Sequence, residues 1–139
     1  MTAIERAEHK GRARAISFYV FAAALLTALL AGHSGLGSDF VDGLWLGIAA
    51  VAALALMPWS AWLRPGNALA RLLNDEGVRE HRRMSCTAGF WTALAAALIV
   101  APVAHDGLVG AYDVARVVAT AALCAAMISF ATLELRASR

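Results

Sequence analysis

Four apolar runs, near 15–32, 43–63, 85–103 and 113–133, divide this 139-residue chain, with short polar stretches between them. A helix needs roughly 20 predominantly apolar residues to cross about 30 Å of hydrocarbon, and each run is close to that length. In a soluble domain about a quarter of the residues carry charge. Here the share is 16%, against 60% apolar residues and a mean hydropathy of +0.64. The pattern predicts an all-α integral membrane protein, a four-helix bundle that occupies 1–139 as a single membrane domain. The net charge of +2 decides little; its placement decides more.

All Lys and Arg except Arg116 fall in the N-terminal arm, the central segment 64–85 or the C-terminal tail. The two remaining connections, HSGLGSDFVD and AHDGLVGAYD, carry Asp but no Lys or Arg. By the positive-inside rule both termini and the central segment are then cytoplasmic, in a bacterial inner membrane. The arm with its apolar run begins as a signal peptide does. Small residues do not fill both cleavage positions, since Leu29 precedes Ala31 by two and Leu30 precedes Gly32 by two. The run reads as a retained first helix.

In the second run, Pro58 should kink the helix near its far end, with Trp59 and Trp62 at headgroup depth and Trp45 at the opposite interface. Gly43 and Gly47 form a GxxxG that allows close helix approach. Beyond it, Pro65 suits a first helical turn, and Leu69, Leu72 and Leu73 share one face of a short surface helix. Asn74 or Asp75 can cap a further helix that continues into the third run, which should end at Pro102. On that helix Asp75–Arg79 and Glu80–Arg83 are neighbours at i,i+4 and i,i+3, each worth roughly 0.2–0.5 kcal/mol. Arg79, Arg82 and Arg83 form a basic collar, with Asp75 and Glu76 beside it. The plain reading is an orientation signal in contact with anionic lipid. The sharper one is a docking face for a cytoplasmic partner. Glu76, Glu80 and His81 make a poor metal set among so many arginines.

Shifted by 72 residues, the chain matches itself without a gap. Glu8-His9-Lys10 falls on Glu80-His81-Arg82, Phe18-Tyr19 on Phe90-Trp91, and Leu63-Arg64 on Leu135-Arg136. His33, Gly35, Leu36 and Phe40 fall on His105, Gly107, Leu108 and Tyr112. This predicts two tandem-duplicated helical hairpins, about 5–64 and 76–136, related by a pseudo-twofold axis along the membrane normal.

The duplicated H-x-G-L has a structural explanation. A His near a helix C-terminus complements the dipole, a Gly takes the left-handed position, and the Leu closes a Schellman-type cap. The alternative is that His33 and His105 bind a metal or cofactor at the outer face, although two histidines are too few for a closed zinc site. Arg116 lies one turn inside the fourth run, within i,i+3 reach of Asp113, and can snorkel to the outer headgroups. The alternative role is contact with an anionic solute or a lipid headgroup. Catalysis finds little support: Cys86 and Cys124 form no CxxC, and no triad, phosphate loop or paired membrane carboxylates are visible. No cofactor is implied. The first helix has no embedded Glu of the kind small multidrug transporters rely on, so proton-coupled drug export fits poorly.

The stretch NDEGVREHRR, followed by Gly89-Phe90-Trp91 and an Ala-rich helix, resembles small bacterial multi-span membrane proteins of unknown function. The matching residues are chiefly Asp75, Glu76, Arg79, Arg82, Arg83 and Phe90. Genes of that kind often accompany helix-turn-helix regulators, so the resemblance implies a membrane partner that holds or senses a cytoplasmic regulatory protein. The expected function is therefore non-enzymatic, by protein association through the basic central segment and without direct nucleic-acid binding. The rival is a small transporter or channel with a site at the repeat interface. Small-residue packing also allows a homo-oligomer.

Overall fold

A computed structural model describes residues 3–33, 38–57 and 76–137, and these are helical almost throughout. Four helices follow in order: α1 (Ala3–His33), α2 (Ser38–Leu56), α3 (Glu76–His105) and α4 (Ala111–Ala137). Each contains a stretch long and apolar enough to cross a membrane. α1 and α3 have 31 and 30 residues, so at 1.5 Å per residue each is about 45 Å long and outreaches about 30 Å of hydrocarbon. The described part of the charged central segment, from Glu76 to Ser85, is the first part of α3 itself. The expectations for Trp59, Trp62, the surface helix at 65–73 and an N-cap at Asn74 or Asp75 fall on residues outside those described.

Two helix ends bear on the sequence reading, both near a proline. The second helix is expected to reach 63 with a kink at Pro58; α2 ends at Leu56, and 58–63 with the kink lie outside the described residues. A proline ring crowds the residue before it out of the α region, here Met57, which is no longer helical. The third was expected to end at Pro102, yet α3 continues to His105 with Pro102 in its last turn. The cap explains the extra turn. Gly107 has φ +72°; its N–H donates to Ala104 O at 3.1 Å, and Leu108 N–H donates to Val103 O at 3.3 Å. That is the paired 5→2 and 6→1 pattern of a Schellman motif, in which glycine takes the left-handed position without a Cβ penalty. The H-x-G-L that begins at His33 lies largely in 34–37, outside the described residues.

Spacing by threes and fours puts Ala15, Phe18, Ala22, Leu25 and Ala28 on one buried stripe of α1. Thr120, Cys124, Met127 and Ala131 form the facing stripe of α4, with Phe130 beside them. Phe18 and Phe130 meet edge-to-face at 5.3 Å. Trp45, Ala49 and Ala52 bring α2 onto this seam. α4 is the hub: it packs on α3, on α1 and, less extensively, on α2, which also leans on α1. At Gly89 the α3 and α4 backbones come so close that an added Cβ would lie 2.9 Å from Ala122 O.

Among the described residues, the packing does not follow the twofold arrangement expected from the self-match. A pseudo-twofold bundle would set α3 against α2 as α1 sits against α4, but among the described residues α3 packs on α4 and makes no comparable contact with α2. Phe18 is 3% exposed, while Phe90, 72 residues later, is 62% exposed. The physical reason lies in the side chains around the aromatic. Ala15 and Ala22 let α1 approach α4 closely, whereas the matching positions on α3 hold Thr87 and the bulkier Leu94, which face outward. Gly43 and Gly47 likewise have nothing within 4 Å of an added Cβ, so the expected close approach at GxxxG is not made within the described chain.

Candidate functional site

Apolar helices bury polar groups only where partners satisfy them, so the informative places are where charge enters the interior. There are two among the described residues, at opposite ends of the α1–α4 seam.

Arg116 marks the first. It is 4% exposed, and Nη1 donates to Asp42 Oδ1 of α2 at 2.6 Å while Nη2 donates to Ala28 O of α1 at 3.2 Å. Its guanidinium carbon stands 5.4 Å from the Trp45 ring and 5.8 Å from the Tyr112 ring. Trp45 Nε1–H in turn donates to Thr120 Oγ1, one turn along α4, at 2.9 Å. Gly32 makes the fit possible, because a Cβ there would sit 2.5 Å from Arg116 Nη2. The expected pairing with Asp113 and snorkelling to headgroups are thus replaced by a clasp joining α1, α2 and α4. The reason is geometric: Asp42 lies four residues into α2 and Arg116 five into α4, so the two charges enter the bundle at matching depth. Trp45 is buried within the clasp, its indole N–H engaged by α4.

Glu134 marks the second. Its Oε1 accepts from Arg14 Nη2 of α1 at 2.6 Å, and its Oε2 lies 3.6 Å from His81 Nδ1 of α3. Arg14 also stands over the Phe130 ring at 4.9 Å. Arg82 is half-buried, close enough to Arg14 and Glu134 to feel both charges. The cluster is not fully satisfied: Arg14 Nε, His81 Nδ1 and Glu134 Oε2 are buried without a hydrogen-bond partner. One turn away, the Tyr19 and Thr132 hydroxyls are 2.8 Å apart. Between the two clusters the seam is closed by Leu25, Phe18, Met127 and Phe130.

The basic collar divides. Arg79 and Arg83 are exposed on the face of α3 away from α4, and Arg83 reaches Glu80 at 3.9 Å as the i,i+3 spacing expects. Arg82 instead lies on the packed side of α3, in line with half-buried Val78 and buried Ser85 and Gly89. Glu76 is the first residue of α3 and His33 the last of α1, with side chains outside the description, as is Asp75 altogether. His105 closes α3 and is exposed. Among the described residues no three His, Cys, Asp or Glu side chains gather in a way that could hold a metal ion. Cys86 is exposed and Cys124 buried; Cys124 Sγ lies 3.5 Å from Ala22 O.

Sequence reasoning missed Asp42, Arg14, Glu134 and the Trp45–Thr120 bond as interior partners. A depth comparison was available. Arg14 stands just before the apolar part of α1 and Glu134 just after that of α4, so they flank the same edge of the bundle. No protein-family model, curated protein or solved structure matches this chain.

Proposed function

We propose that the chain is a non-enzymatic integral protein of a bacterial inner membrane, with both termini cytoplasmic, that acts by associating with a cytoplasmic regulatory protein. The two tandem hairpins supply the spans, and the start of α3 is the part that meets the partner. One observation carries the reading: the fold sorts its arginines. Arg14 and Arg116 are bound to carboxylates inside the bundle, whereas Arg79 and Arg83 stand exposed on a helix that outruns the hydrocarbon. Holding these two cations on a continuous helix spares the ordering cost that a flexible basic loop would incur on binding. Arg82 belongs to the interior edge and is left out of the docking face, while Asp75 and Glu76 flank its start in sequence.

The transporter alternative needs a polar path along the repeat interface. The α1–α4 seam is instead filled by Phe18, Leu25, Met127 and Phe130, and Arg116 already has Asp42 as counterion, so neither feature favours that reading. Reversing charge with Arg79→Glu and Arg83→Glu tests the docking proposal. Co-purification of a stoichiometric cytoplasmic protein should be lost while membrane insertion and thermal stability persist. Recovery of that protein at the wild-type level refutes it.

A further inference from the structure

Arg14, Arg82, His81 and Glu134 gather where α1, α3 and α4 meet, and their charges do not cancel. Among the described side chains, two guanidinium groups meet one carboxylate in a half-buried place, so positive charge is in excess whatever the His81 imidazole carries. Glu134 satisfies only part of Arg14, whose Nε is buried without a partner although the side chain is 28% exposed overall. Among the described residues no hydrogen bond or ion pair engages Arg82. Withdrawing a cation partly from water without a counterion is costly, and helices that hold two cations together need a reason to do so.

We infer that this junction is a binding site for a phosphate-bearing anion, and that in the membrane its occupant is the headgroup of an anionic phospholipid. The guanidinium fork suits phosphate oxygens, to which it gives paired charge-assisted hydrogen bonds. The location points to lipid as the source. Arg14 stands one residue before the buried stripe that starts at Ala15, Arg82 three before buried Ser85, and Glu134 three before the end of α4. All three therefore lie at the edge of the apolar layer, where lipid phosphates are the abundant anions and basic pockets between helices take headgroups. Arg79 and Arg83 differ: they are exposed, water solvates them, and no second helix shapes a pocket around them. The phenyl face of Phe130 under Arg14 fixes the direction of that guanidinium, so one arm of the site is preorganised. The site is separate from the docking face and does not depend on that reading.

The test uses full-length protein in nonionic detergent, with binding followed by native mass spectrometry and thermal shift. The probes are phosphatidylglycerol, phosphatidylcholine and inorganic phosphate. Arg82→Gln is the informative variant because it leaves the Arg14–Glu134 pair in place; Arg12→Gln removes one exposed charge as a control. Phosphatidylglycerol should bind in preference to phosphatidylcholine, and Arg82→Gln should weaken it about tenfold while Arg12→Gln does not. If inorganic phosphate binds with the same Arg82 dependence and phosphatidylglycerol does not, the phosphate site stands and its occupant is a soluble anion. Wild-type phosphatidylglycerol binding by Arg82→Gln, or equal binding of phosphatidylcholine, overturns the inference.

Discussion

Removing Asp42 exposes what the Arg116 clasp contributes. Asp42→Ala leaves a guanidinium that is 4% exposed with only the Ala28 carbonyl and two aromatic faces for company, its Nε already lacking an acceptor. Losing one partner of a fully buried pair costs about 3–5 kcal/mol, because the remaining charge is stranded. Exposed pairs contribute less than about 1 kcal/mol. The Asp42 side chain is 32% exposed, so water can reach part of the vacated space and relieve some of the penalty. A loss of about 3 kcal/mol follows, roughly a hundredfold in the unfolding constant. Reversible unfolding in mixed micelles, followed by Trp fluorescence, measures it. The double variant Asp42→Ala, Arg116→Met should recover to within about 1 kcal/mol of wild type, since an apolar replacement leaves no stranded charge. A single-variant cost under about 0.5 kcal/mol, or the same cost in the Arg116→Met background, refutes the stranded-charge reasoning.

Gly89→Ala should destabilise by about 1–3 kcal/mol, because the new Cβ meets the Ala122 carbonyl oxygen at 2.9 Å and backbone cannot give way as a side chain can. The matched change Gly43→Ala, where nothing lies within 4 Å, should be neutral or gain up to about 1 kcal/mol of helix propensity, and thermal unfolding of the two variants separates these outcomes. Trp45→Phe should cost about 1 kcal/mol by removing the indole N–H donor from Thr120 Oγ1, with little further loss in a Thr120→Val background.

The order of four apolar helices was legible in the sequence because hydropathy and length are properties of consecutive residues. Proline and glycine chemistry was partly legible. The Schellman geometry at Gly107 follows from local backbone rules, and it carries α3 past Pro102, where the sequence alone placed the end. The Glu80–Arg83 pair was equally local. The self-match at a shift of 72 residues did not dictate matching packing. Phe18 and Phe90 align when the chain is shifted by 72 residues, yet whether such a ring is buried depends on the size of its neighbours and on which helix lies opposite.

What the chain determined by itself is therefore its class: helices of this length and apolarity, and basic residues kept to particular segments. Only the tertiary structure decided which charges become internal. Arg116 had a plausible local partner in Asp113, three residues away, and took Asp42 from another helix instead. Arg14 and Glu134, 120 residues apart, looked like members of an arm and a tail until α1 and α4 were set side by side. A local pair depends on spacing along one helix. A buried pair depends on depth, rotation and the absence of competing water, none of which exists before helices pack.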